Sequence, residues 1–280
     1  MSPLRLVYLK EQIIYGPVSS RRLGRSLGIN LLGSGRKVCT FDCVYCQLRQ
    51  PRAYPVDYAS PASRCLRKCD ACAYVQPTVG DGEPTNELPS VDAVLGAVEE
   101  AIGQYPNLDS LTFSGNGEPT VYPELPALVE RLAKMRDRES PRTAITVLSN
   151  SSTLWRSSVR RALRGIDVCI MKLDAGDPAT FRATNRPCPG VQLEEVVDGL
   201  CSLGSPTLQT LFTAGPEGNA SPSQVEAWLG AVEKVRPAAI QVYSLDRVPA
   251  DASLTVVPKE RLAEIAAAAS SRTGADCRVY

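Results

Sequence analysis

Short apolar runs recur along the chain at Ser26–Leu32, Ser110–Ser114, Ala144–Ser149, Val168–Leu173, Thr207–Thr213 and Ala239–Ser244. Most are rich in Val, Ile, Leu or Thr and too short for helices, so they predict strands covered on both faces. A stretch with apolar positions at helical spacing follows each: Val91–Gln104, Glu124–Arg138, Leu154–Leu163, Leu193–Leu203, Ser223–Val235 and Lys259–Ser270. Ser221-Pro222-Ser223-Gln224 carries a capping serine, a proline suited to the first turn and a glutamine three residues on. Asp177-Pro178 predicts the start of a short extra helix after the fourth strand.

Successive βα units place their strands parallel, because each crossover returns the chain in the same direction. A curved barrel would carry its chemistry at the carboxyl ends of the strands; a flat, doubly wound sheet is the alternative the pattern leaves open. One connection breaks the rhythm. The segment between Leu32 and Val91 is far longer than an ordinary loop, and six of the ten cysteines lie in it. Such a segment is expected to be functional or to have structure of its own.

Composition narrows the chemistry. Hydrophobic residues make up 44% and charged residues 22%, with a net charge of +1, as in an ordinary globular protein with no global pull toward polyanions. Arg156, Arg160 and Arg164 would line one side of a helix, a pattern usual for a solvated face. The N-terminus has no apolar stretch suited to a signal peptide, and no run is long enough to cross a bilayer, so the expectation is a cytoplasmic protein. The chain contains no histidine. That excludes Ser-His and Cys-His catalysis, and every histidine-bearing zinc site, within this chain. Clustered cysteines in such a protein point to metal or catalysis rather than to disulfides.

After the first strand, Lys37-Val38-Cys39-Thr40-Phe41-Asp42-Cys43-Val44-Tyr45-Cys46 spaces three cysteines as C-x3-C-x2-C. A [4Fe–4S] cluster ordinarily takes four cysteine ligands, so three in one loop leave one iron free for another ligand; a zinc loop is the alternative. Past the second strand stands Ser114-Gly115-Asn116-Gly117-Glu118-Pro119-Thr120, the third ends in Ser149-Asn150, and the fourth in Met171-Lys172-Leu173-Asp174. Alternation puts Lys172 and Asp174 on one side of the strand, where a solvated ion pair is the competing reading.

These motifs resemble those of the radical S-adenosylmethionine (SAM) superfamily. The resemblance implies an α/β fold: a partial (β/α)6 TIM-like barrel, a single domain over residues 1–280, interrupted by a cysteine-rich insertion at 50–86. It implies an enzyme that holds a catalytic [4Fe–4S] cluster on Cys39, Cys43 and Cys46, with SAM on the open iron and Tyr45 near the adenine. Gly117 and Glu118 would meet the SAM amino group. Asn150 would reach the ribose or carboxylate, Lys172 the carboxylate, and Asp174 the ribose hydroxyls. Tyr15-Gly16-Pro17-Val18, Ser20-Arg21-Arg22-Leu23-Gly24 and Asn185-Arg186-Pro187 further resemble the group related to the wyosine-base synthases of tRNA. There a histidine commonly follows Asn-Arg-Pro, where this chain has Cys188.

Cys65, Cys69 and Cys72 repeat the C-x3-C-x2-C spacing without the aromatic residue. They are expected to hold a second [4Fe–4S] cluster or zinc, with Cys188 as a distant fourth ligand; inert thiols are the bland reading. Cys169 and Cys201 read as small buried apolar residues. Electrons would come from an external donor of flavodoxin or ferredoxin type. The substrate stays open among a tRNA base, a peptide and a small metabolite, and a non-catalytic Fe–S or zinc redox protein is the competing class.

Overall fold

The computed structural model describes residues 10–33, 37–48, 88–249 and 251–280. Eight strands form the main sheet: β1 (Ile14–Ser20), β2 (Gly24–Ile29), β3 (Ser110–Phe113), β4 (Ala144–Ser149), β5 (Val168–Lys172), β6 (Thr207–Leu211), β8 (Ala239–Tyr243) and β10 (Asp276–Val279). They lie side by side in that order, β1 antiparallel to β2 and the rest parallel. The two-residue strands β7 (Thr213–Ala214) and β9 (Thr255–Val256) pair separately. A doubly wound sheet reverses its strand order at a switch point. This order never reverses, so the flat alternative is overturned and the crossovers lie on one side of the sheet.

The six expected strands and helices are present, with ends shifted by a few residues. Helix α1 spans Val91–Gln104, α2 Leu125–Glu139, α3 Ser157–Leu163, α4 Pro178–Asn185, α5 Leu193–Cys201, α6 Pro222–Val235 and α7 Lys259–Thr273. Asp177 caps α4, and Ser221 with Gln224 forms the capping box of α6. Helix α3 is shorter than expected. Arg156 and Arg164 sit at its two caps, and the Arg160 guanidinium bonds the Leu154 carbonyl, so the three arginines do not form a continuous helical stripe. Strands β1 and β10 escape the apolar pattern because both lie at sheet edges and are largely polar or half-exposed. Cys201 is a further correction: it ends α5 and is exposed rather than buried.

One face of the sheet is mostly apolar, with Ser149 and Thr210 as exceptions. Leu27, Ile29, Leu111, Phe113, Ile145, Val147, Met171, Leu208, Ile240 and Val242 are all 0% exposed and share one core with the helices. Alternation turns the intervening residues to the other face, where polar side chains sit beside Leu148, Ile170 and Leu211. Ser26 bonds Thr112 at 2.7 Å, Thr112 bonds Ser110 at 2.9 Å and Ser110 bonds Thr146 at 2.7 Å. Gln209 donates to Gln241 at 2.9 Å on the far strands.

The sheet curls about this polar face. The turn between β1 and β2 leaves one edge, yet Arg22 lies over the Tyr243 ring at 4.7 Å and the Tyr280 ring at 5.8 Å, at the other edge. Arg21 reaches Asp246 beside them. Side chains thus bridge the gap that hydrogen bonds leave open, giving a partial barrel with a polar lumen. No helix among the described residues is long and apolar enough to cross a membrane.

Candidate active site

The loop Lys37–Leu48 is fixed by backbone bonds to the segment after β3 and to the end of α4. Val38 accepts from the Glu118 amide at 2.9 Å and donates to the Asn116 carbonyl at 2.7 Å. Gly117 lies between them at φ +143°, and a Cβ there would fall 1.7 Å from the Val38 carbonyl oxygen; glycine is required for so close an approach. Asn116 is 0% exposed. Its amide donates to the carbonyls of Lys10 and Gly33 and its carbonyl accepts from the Lys10 amide, a fastening that glycine would lack. On the other side, Asp42 donates to the carbonyls of Asn185 and Arg186, Val44 to Thr184, and Cys188 to Thr40. Arg186 ends α4 in the left-handed region at φ 44°, so Asn185-Arg186-Pro187 lies along the cysteine loop, Phe41 bridging to Pro187.

The three thiols differ in their partners. Asn150 Nδ2 lies 3.6 Å from Cys39 Sγ, and Asn185 Nδ2 3.6 Å from Cys43 Sγ. Lys37 attracts all three sulfurs, Cys46 most strongly, and although burial works against its ammonium, the thiols raise its pKa. Burial pushes Cys43 up to about 11 and raises Cys39 further. Iron binds thiolate, so a metal must displace these protons. Among the described residues no three Cys, Asp or Glu side chains are gathered closely enough to share one ion. A cluster, whose irons occupy separate corners, asks instead for thiols set apart, each facing an N–H donor or a cation. On that chemistry the loop fits a cubane cluster.

Two buried carboxylates flank the loop. Glu118, 2% exposed, accepts from the Thr120 amide at 3.1 Å, the Thr120 hydroxyl at 2.5 Å, Ser149 at 2.9 Å and the Asn150 amide at 2.5 Å. Three of these bonds fall on Oε1 and one on Oε2, so a lone pair of Oε2 is left over. Burial raises the Glu118 pKa, and the four bonds oppose it. Asp174, whose side chain is fully buried, accepts from the Tyr45 hydroxyl, from Asn185 at 2.8 Å and from the Leu211 amide at 3.0 Å, and pairs with Lys172 at 3.6 Å. Burial works against the Lys172 ammonium, but Asp174, then Tyr243 and Cys43, hold its pKa above the ordinary value. Burial and then Asp174 likewise keep Tyr45 protonated. Lys172 faces the Tyr45 ring at 5.1 Å. This pair is buried, not the solvated alternative.

Gly117, Glu118, Asn150, Lys172, Asp174 and Tyr45 therefore converge on the triad at the carboxyl ends of β3, β4 and β5. Cys188 is buried against the same loop, whereas Cys65, Cys69 and Cys72 and the insertion at 50–86 lie outside the described residues. Asn185 joins Cys43, Tyr45 and Asp174, a role that its place in Asn-Arg-Pro signals only as a motif. Tyr243 and Gln209 carry no sequence signal, and Arg22 appears only within the Ser20–Gly24 motif; the curl of the sheet gathers the three.

The radical SAM superfamily profile matches residues 36–221. The chain is 34% identical over 190 residues to a UPF0026 protein of Methanocaldococcus jannaschii, covering 67% of this chain and 48% of that one. It is 28% identical over 244 residues to a protein named GTPase Obg in Brachyspira hyodysenteriae, covering 85% of this chain but 31% of that one. The chain thus spans about a third to a half of these relatives' lengths. In fold it is similar to a radical SAM methyltransferase from Sphaerobacter thermophilus, with TM-score 0.59, 15% identity and coverage of 91% and 65%. It is also similar to TYW1 with a lysine-pyruvate adduct bound, with TM-score 0.52, 15% identity and coverage of 89% and 74%.

Proposed function

Because the chain belongs to the radical SAM superfamily, whose members are enzymes using a [4Fe–4S] cluster and SAM, we propose that Cys39, Cys43 and Cys46 hold that cluster for reductive cleavage of SAM. Held there and reduced, the cluster would supply the one electron needed for reductive cleavage of the SAM carbon–sulfur bond and hence for hydrogen abstraction from a substrate. The protein contributes position and exclusion of water. Lys37, Asn150 and Asn185 direct N–H groups and positive charge at the sulfurs, favouring the thiolate form. The spare lone pair of Glu118 Oε2 receives the SAM ammonium, while Gly117 lets the cysteine loop approach beside it. Tyr45 lines the adenine side, Asp174 holds Tyr45 and faces the ribose hydroxyls, Lys172 faces the carboxylate, and Asn150 the ribose or the carboxylate.

The observation that carries this reading is the convergence of one three-cysteine loop and two strand-end carboxylates through the Val38–Gly117 contact. Electrons come from an external protein of flavodoxin or ferredoxin type. Residues 1–280 act as one domain, with 50–86 an insertion whose Cys65, Cys69 and Cys72 hold a second cluster or zinc. Cys188 remains the fourth-ligand candidate for that site, although its amide binds the first loop. The substrate class extends to a tRNA base, because the motifs resemble the wyosine-synthase group. Anaerobically reconstituted protein with dithionite and SAM should release 5′-deoxyadenosine, and Cys43→Ala should abolish it. Full turnover by that variant would remove the cluster from Cys43.

A further inference from the structure

The lumen contains a cation that the proposed SAM chemistry leaves unused. Ser20 Oγ accepts from the Arg22 amide at 3.2 Å and the Leu23 amide at 3.1 Å, and Gly24 closes the turn at φ +64°. The turn is thereby locked and Arg22 is aimed inward, while its neighbour Arg21 is exposed and paired with Asp246. Over the Tyr243 ring the Arg22 guanidinium makes a cation–π contact, but it has no ion pair among the described residues. Its Nη1 is buried with no hydrogen-bond partner. A buried donor left unmade is costly, and such a group in a native protein calls for an explanation.

The surroundings supply one. Lys172 lies 5.7 Å from the same Tyr243 ring, so two cations face one aromatic side chain. Asp174 answers Lys172, and among the described residues no acid pairs with Arg22. The Tyr243 hydroxyl donates to Gln209 at 3.2 Å and accepts from Lys172 at 3.4 Å. Lys172 in turn faces Tyr45 of the cysteine loop. A continuous polar wall therefore leads from the triad to Arg22, and every charged group on it except Arg22 has a partner of opposite sign.

We propose that Arg22 receives an anionic oxygen group, a carboxylate or a phosphate, of the molecule bound in the lumen. The planar fork of a guanidinium suits either group. The anion would anchor one end of the molecule while its other end faces Tyr45 and the cysteine loop. Its identification as part of the substrate rests on the radical SAM reading; its binding does not.

The test uses the full chain with its cluster reconstituted, and without SAM. Phenylglyoxal labelling is followed at Arg21 and Arg22 by peptide mapping, in inorganic phosphate, acetate or chloride at equal ionic strength. Labelling of Arg22 should slow at least about fivefold in phosphate, in acetate or in both, relative to chloride, while Arg21 should be unaffected. Protection by phosphate alone or by acetate alone identifies the group. Arg22→Lys keeps a cation on the two rings but loses the fork. Its affinity for the protecting anion, by calorimetry, should fall at least about fivefold, with Arg21→Lys unchanged. Equal labelling in all three salts, equal slowing of both arginines, or unchanged affinity in Arg22→Lys would overturn the assignment. None of these readings depends on 5′-deoxyadenosine release, so either proposal can fail alone.

Discussion

Glu118 and Asp174 both lie beyond the ends of parallel strands, and both carboxylates are buried. Around Glu118 the donors are neutral: two backbone amides and two hydroxyls. Around Asp174 stand a lysine ammonium, a phenol, an amide side chain and one backbone amide. The first arrangement fixes backbone, since Thr120 and Asn150 belong to the two loops that meet there. The second fixes charge, because Lys172 is held over Tyr45 by the carboxylate beside it. One region of the site is thus organised by geometry and the other by electrostatics, and removing a side chain should separate them.

Asp174→Ala should have the larger effect. It leaves Lys172 without its counter-ion and Tyr45, Asn185 and Leu211 without an acceptor. Breaking a buried pair in this way costs about 3–5 kcal/mol, read as a lower midpoint in urea. Adding Lys172→Met should restore much of that loss, since the stranded charge goes with it. A double variant no more stable than Asp174→Ala would show that charge is not what organises this region.

Glu118→Gln should cost less, about 1–3 kcal/mol. The amide keeps one carbonyl oxygen but turns an N–H₂ toward either the Thr120 and Ser149 donors or the Asn150 amide, so a donor loses its acceptor. The same titration should show it, together with weaker SAM binding by calorimetry. A loss equal to that of Asp174→Ala would erase the distinction between the two regions.

A smaller effect should appear with pH. The Glu118 pKa is raised by burial, so the folded protein takes up this proton before the unfolded chain does. The resulting stability is full below the unfolded value and is lost as pH rises through the folded one. Lowering the pH from 7 through the carboxylate range should therefore widen the stability gap between wild type and Glu118→Gln, which has nothing to titrate. A gap that narrows would place the Glu118 pKa below the ordinary value.

How much of this was legible in the sequence follows the same division. The face of the sheet toward the helices is a mostly apolar surface, and apolar runs are what a pattern reading detects. Local motifs likewise announced the cysteine loop, Gly117-Glu118 and Asp174. Partners supplied by curvature had no such signal. Gln209 and Tyr243 lie on polar positions that look exposed in a strand pattern, and Arg22 lies in the turn after β1; the three come from distant segments, and the curl of the sheet turns them inward. Edge strand β10, with its alternating exposed Asp276 and Arg278, was missed for a related reason: edge pairing needs little apolar surface.

The contact of Val38 with Asn116 and Glu118 also closes a large ring of chain, and residues 50–86 lie within that ring. The entropy of closing a ring grows only with the logarithm of its length, so halving or doubling it changes stability by about 0.6 kcal/mol. Excising residues 50–86 removes about half of the ring, so by closure entropy alone the unfolding midpoint should move little. On that term the ring that carries Cys65, Cys69 and Cys72 can change length at small cost to the first cysteine loop.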